Sequence, residues 1–120
     1  GMIRCLALLF LFVASVSAKT CEWLGDSPAC GDASCPVGWV ELAKAGDISD
    51  SYLADFGDVC ILGVKTLCCK KDAIKAKHNH HCSRSAHGCP NGKEKIAVER
   101  IAKFFFDNEY YNICCDREIL

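Results

Sequence analysis

Adjacent cysteines constrain this chain more than any other feature. Cys68-Cys69 and Cys114-Cys115 occur in a 120-residue sequence with eleven cysteines. Neighbouring cysteines rarely bond to each other, because a disulfide needs Cα atoms about 4.4–6.8 Å apart. On a strand, consecutive side chains point to opposite faces. Each Cys-Cys pair therefore predicts a strand fastened on both faces to two other elements.

The rest of the cysteine pattern repeats. Cys35-Pro36-Val37-Gly38 recurs as Cys89-Pro90-Asn91-Gly92, and each is followed, after an aromatic-containing stretch, by one of the Cys-Cys pairs. One further cysteine precedes each Cys-Pro-x-Gly: Cys30 five positions upstream, Cys82 seven. This order predicts two related modules, residues 19–72 with six cysteines and 79–120 with four, joined by a basic linker at 73–78; the alternative is a single interwoven core with bridges crossing between the halves. Cys21 and Cys60 have no counterpart in this alignment, so the simplest pairing joins them. For the others, spacing leaves two patterns open: Cys30–Cys68 with Cys35–Cys69 or the crossed choice, and likewise for Cys82, Cys89, Cys114 and Cys115.

The eleventh cysteine, Cys5, lies in a leader-like segment. Gly1 reads as a cloning scar ahead of Met2. Arg4 then supplies a basic start, residues 6–13 an apolar stretch, and Val16-Ser17-Ala18 a small-residue cleavage site. The expected product is a secreted chain from Lys19 with ten cysteines, an even number suited to an oxidising compartment. The apolar stretch is too short for a transmembrane span.

The segments suggest a small, disulfide-rich, mainly β fold of two antiparallel modules with possible short helical turns. Residues 38–43 read as a strand. Residues 59–69 read as a hairpin turning near Leu62-Gly63, and residues 45–58, rich in Asp, Ser and Gly, as a loop with a helical turn near 51–55. Glu94 to Ile101 fits neither the strand nor the helix period cleanly. Lys103 and three phenylalanines, then Asp107-Asn108, then residues 109–115, predict a second hairpin turning at Asp107-Asn108. Modules this small have too little apolar surface to fold on packing alone, so bridges must supply much of the stability.

Composition narrows function mainly by exclusion. The formal charge is −1 and 51% of residues are apolar, which argues against both a disordered tail and a nucleic-acid-binding protein. Charge is divided unevenly: residues 19–69 have three basic and eight acidic side chains, whereas residues 70–120 have ten and seven. The halves thus either attract each other or present a basic face to anionic glycans or lipid, unless the imbalance is ordinary surface variation. No Gly-x-Ser-x-Gly or His-Glu-x-x-His motif is present, and a cysteine nucleophile needs a reduced thiolate. His78, His80 and His81 share one segment and do not make a closed zinc site. Neither metal nor cofactor is expected.

Aromatic side chains are the remaining resource for recognition. Trp23, Trp39, Phe104, Phe105, Phe106, Tyr110 and Tyr111 are the candidate binding residues, since a disulfide scaffold frees little interior and surface aromatics anchor sugars or proteins. Three consecutive phenylalanines on a strand cannot all face one core.

Cys21, Trp23, Gly25, Pro28, Cys30, Cys35, Pro36, Gly38, Trp39, Gly63, Lys65, Cys68 and Cys69 together resemble a Cys-rich module of small secreted invertebrate and fungal proteins, C-x-W-x-G-x-x-P-x-C, then C-P-x-G-W, then C-C. The second half keeps the cysteines and Cys-Pro-x-Gly but lacks both tryptophans. The resemblance implies secretion and a bridged β-module, and carries no catalytic residues. The expectation is a secreted, non-catalytic protein that binds an extracellular protein or glycan. The alternative is a protease inhibitor or toxin using a rigid loop such as residues 45–58.

Overall fold

The computed structural model describes residues 20–75, 81–103 and 107–117. These form eight strands in two four-stranded sheets, with a 3-10 turn at Lys71–Ala73. In the first sheet β5 (Leu62–Lys70) is central. It pairs antiparallel with β1 (Cys21–Leu24) and β3 (Trp39–Ala45), and in parallel near its start with β2 (Ala29–Asp32). The second sheet has the order β4 (Ile48–Ser51), β7 (Lys93–Lys103), β8 (Asp107–Asp116) and β6 (Ser83–Ser85), all antiparallel. The small, disulfide-rich, mainly β class expected from the cysteines is the class observed.

The repeated motif is also a repeated structure, down to its irregularities. In the first sheet Val40 pairs with Cys69 and Glu41 with Cys68, then the register slips so that Ala43 meets Leu67. In the second, Glu94 pairs with Cys115 and Lys95 with Cys114, then slips to put Ala97 against Ile113. Leu42 and Ile96 are the extra residues of these two bulges, and both are buried. A bulge breaks the two-residue alternation, which is why residues 94–101 fit neither period. The Cys-Pro-x-Gly turns match as well: the Trp39 amide donates to Pro36 O at 3.0 Å and the Lys93 amide to Pro90 O at 3.1 Å.

All ten cysteines among the described residues are bridged, and each Cys-Cys pair fastens two faces of its strand. Cys35–Cys68 and Cys89–Cys114 tie the Cys-Pro-x-Gly turns to one face. Cys21–Cys69 and Cys82–Cys115 tie β1 and the start of β6 to the other. The crossed choice is therefore complete in the second half. In the first half only its Cys35–Cys68 member forms, and the expected Cys21–Cys60 pair does not. Cys21 lies directly opposite Cys69 in the β1–β5 ladder, with Cα atoms 4.0 Å apart, so it, and not Cys30, is the counterpart of Cys82. The additional bridge is Cys30–Cys60.

Among the described residues no bridge crosses between the halves, yet one core runs through both. Trp23, Leu42, Phe56 and Leu67 pack in the same cluster as Ile96, Ala97 and Ile113. β4 comes from the first half by sequence and pairs in the second sheet, Ile48 opposite Glu99 and Ser51 opposite Ala97. The contacts are reciprocal: the Cys82 amide donates to Leu42 O at 2.8 Å, and the Tyr52 amide to Ile96 O at 2.9 Å. The two bulge carbonyls, one per sheet, are thus each satisfied by the opposite half. Arg100 adds a two-pronged ion pair to Asp47, at 2.7 and 3.2 Å, so the charge imbalance includes real attraction between the halves.

Three local expectations are corrected. Residues 59–69 are not a hairpin: β5 runs unbroken from Leu62, and Gly63, with φ +76°, meets the Gly31 backbone so closely that a Cβ would come 2.5 Å from its N and O. The glycine serves a close approach of two backbones, not a reversal. Residues 45–58 contain β4 and have no helical turn at 51–55. In the second hairpin Asp107 pairs with Lys103 inside the ladder, so Asp107-Asn108 is strand, not turn.

Candidate functional site

Among the described residues the aromatic candidates do not converge. Trp23 is buried, edge-on to Phe56 with ring centroids 5.0 Å apart, and its Nε1–H donates to Ser51 Oγ at 3.1 Å. It is a core residue whose one polar group is satisfied, which removes it as a contact residue. Trp39 is half-buried beneath Lys70, whose Nζ lies 5.8 Å from the ring centroid. Tyr111 is half-buried and its hydroxyl donates to Glu109 Oε2 at 2.6 Å. Tyr110 is exposed. Phe104, Phe105 and Phe106 lie outside the described residues, as do His78 and His80. His81 stands 3.3 Å from Glu41, and no group of three metal-binding side chains occurs among the described residues.

Among the described residues the most exposed apolar cluster lies elsewhere, in a segment not singled out from sequence as a contact surface. Val59, Ile61 and Leu62 are 47%, 77% and 69% exposed, with exposed Pro28 and Ala29 beside them on the paired strand. The ridge is held firmly. Cys60 is bridged to buried Cys30, and its amide donates to Gly46 O at 2.8 Å. The amides of Ile61 and Leu62 both donate to Pro28 O, at 2.9 and 3.2 Å, and Ser27 Oγ donates to Asp58 O at 2.7 Å. Gly63 then seats the segment against β2. So constrained a backbone has little freedom left to lose when its exposed aliphatic side chains dock.

A shallow groove of about 270 Å³ runs beside the ridge, lined by Val59, Ile101 and Ala102 with the Asp47–Arg100 pair. Two other clefts, of about 360 and 460 Å³, lie between β3 and residues 81–84 and between β1 and residues 53–55. The first gathers Glu41, Lys44, His81 and Arg84, and its charges are mutually engaged: Glu41 meets both His81 and Lys44, and Lys44 also pairs with Asp32.

One carboxylate is perturbed by its surroundings. Glu99 is buried, and burial raises its pKa above the ordinary value, opposed by Arg84. Arg84 Nη2 donates to Oε2 at 2.9 Å, while Nε lies 2.7 Å from Oε1 without hydrogen-bond alignment. Burial, opposed by one guanidinium, accounts for the perturbation.

No family model, curated protein or solved structure matches the chain. Among the described residues, no helix is long and apolar enough to cross a membrane. Missing the ridge has a plain cause. Val59, Ile61 and Leu62 surround a cysteine and run into a β-branched strand, so they read as one arm of a buried hairpin.

Proposed function

We propose that this protein is secreted, has no catalytic role, and binds an extracellular protein by inserting Val59, Ile61 and Leu62 into an apolar recess of its partner. One observation carries the reading: the single bridge without a counterpart in the repeat, Cys30–Cys60, braces this exposed ridge. The repeat folds its second half with two bridges, and the additional one fixes a surface that would otherwise collapse or flex. Small bridged scaffolds belong to oxidising compartments, which agrees with the leader-like residues 2–18.

A protein partner fits better than a glycan. Sugar sites use aromatic faces; among the described residues Trp23 is buried, Trp39 is half-covered and Lys95 lies over the exposed Tyr52, which leaves Tyr110, whereas the exposed cluster at 59–62 is aliphatic. Substrate-like insertion of this segment into a protease is disfavoured, because that mode needs free main-chain donors and the amides of Ile61 and Leu62 are already engaged by Pro28. Residues 45–58, the other loop considered for inhibition, hold β4 and buried Phe56 and are part of the junction between halves.

The test compares the wild-type protein with Ile61→Asp/Leu62→Asp, each carrying a photo-crosslinker at Val59, in extracellular fluid from the source organism. The expected outcome is a crosslinked partner with the wild type and none with the variant, at equal folding by disulfide map. A partner crosslinked equally well by both, or a glycan-array signal insensitive to the variant, overturns the reading.

A further inference from the structure

A second surface differs from the ridge in kind, because it offers backbone and not side chains. β8 pairs with β7 along its whole length, from Asp107 opposite Lys103 to Asp116 opposite Lys93. On its other side β6 covers only Asn112, Ile113 and Cys114. β6 stops at Ser85, whose hydroxyl lies 2.6 Å from His87 O and 2.9 Å from Gly88 O and turns the chain away towards Cys89. Among the described residues, 107–111 therefore present an open sheet edge, continuing the track that β6 begins. Such an edge is a template for an added strand.

We infer that residues 107–111 take up an extended strand of another protein with lysine or arginine at alternate positions, laid antiparallel to β8 in line with β6. Charge selects the occupant. Asp107, Glu109 and Tyr111 alternate onto one face of the strand, and residues 107–111 contain two acids and no basic residue. Glu109 is held in its ionised form by Lys103, 2.7 Å away, and by the Tyr111 hydroxyl. An incoming cation opposite Glu109 shares a carboxylate that Lys103 on Oε1 and the Tyr111 hydroxyl on Oε2 already orient, and Asp107 adds the second negative charge. A second copy of this chain is the wrong occupant: antiparallel pairing over the whole window of 107–111 places Glu109 directly opposite Glu109, and like charges opposed across a ladder are destabilising. The acids thus block self-pairing and admit a basic strand, which is specificity by exclusion. Asn108 and exposed Tyr110 occupy the other face, where Tyr110 can cover a side chain of the added strand.

The probe is a capped nonapeptide alternating lysine and threonine, added at low salt while amide hydrogen exchange is followed through β8. Two control peptides replace lysine by glutamate, or carry N-methyl groups on alternate residues. Exchange should slow at residues 107–111 with the lysine peptide, and both controls should bind about tenfold more weakly. The double variant Asp107→Asn/Glu109→Gln removes both acids and should abolish the preference for the lysine peptide over the glutamate peptide. Equal binding of all three peptides, protection confined to other residues, or concentration-dependent protection of 107–111 without peptide overturns the inference. These outcomes are independent of the ridge, because Ile61→Asp/Leu62→Asp leaves the β8 edge intact.

Discussion

Arg84 and Glu99 form a charged pair at the edge of the core, with the carboxylate almost wholly covered and the guanidinium half in solvent. Burial outweighs Arg84 and raises the pKa of Glu99. The folded state therefore holds a proton to higher pH than the unfolded chain. Stability contributed by this proton is present at low pH and is lost as pH rises from the unfolded value through the raised folded value. Glu99→Gln should flatten that part of the stability–pH curve, and Arg84→Met should steepen it. Denaturant unfolding at a series of pH values rising from the ordinary carboxylate value reads both; unchanged slopes would count against the burial argument.

The two bulge residues should behave alike. Leu42 and Ile96 are 0% and 2% exposed and sit at equivalent positions in the two sheets. Leu42→Ala and Ile96→Ala should each cost about 2–5 kcal/mol. Because both belong to one core, the double variant should depart from additivity. Separate unfolding transitions for the two halves would show that the halves fold independently.

Two glycines with similar backbone angles should respond differently to alanine. Gly63 (φ +76°) faces the Gly31 backbone, whereas at Gly38 (φ +89°) an added methyl group would meet nothing within 4 Å. Gly38→Ala should cost only the left-handed penalty, about 1 kcal/mol. Gly63→Ala adds a backbone collision and should cost several times more, read from the urea midpoint.

The bridges can be checked directly. Peptide mapping should recover Cys21–Cys69 and Cys30–Cys60 as separate fragments. Cys30→Ala/Cys60→Ala should keep the other four bridges, lose about 2–5 kcal/mol, and show its largest rise in amide exchange at residues 59–62. Recovery of a Cys21–Cys60 fragment would contradict the register of β1 on β5.

Much of the architecture was legible in the spacing of cysteines and turn residues. The adjacent pairs announced strands fastened on both faces, and the recurring Cys-Pro-x-Gly announced two copies of one unit. Both signals are local, because side-chain alternation and the turn are properties of a few consecutive residues. The aromatic candidates were less informative: an indole such as Trp23 serves a core as readily as a surface, and its neighbours Phe56 and Ser51 decide which.

The order of residues is enough to make this chain a bridged β protein built from a duplicated motif, since alternation and cysteine spacing act over short stretches. The partners were chosen in three dimensions: Cys21 with Cys69, β4 with β7, and residues 59–62 left outside on a braced backbone. Those choices join positions up to some fifty residues apart, and they depend on which pairings bury the shared core around Leu42 and Ile96 while leaving neither bulge carbonyl unsatisfied. No local pattern encodes that competition, because its terms are contacts that exist only once both sheets have formed.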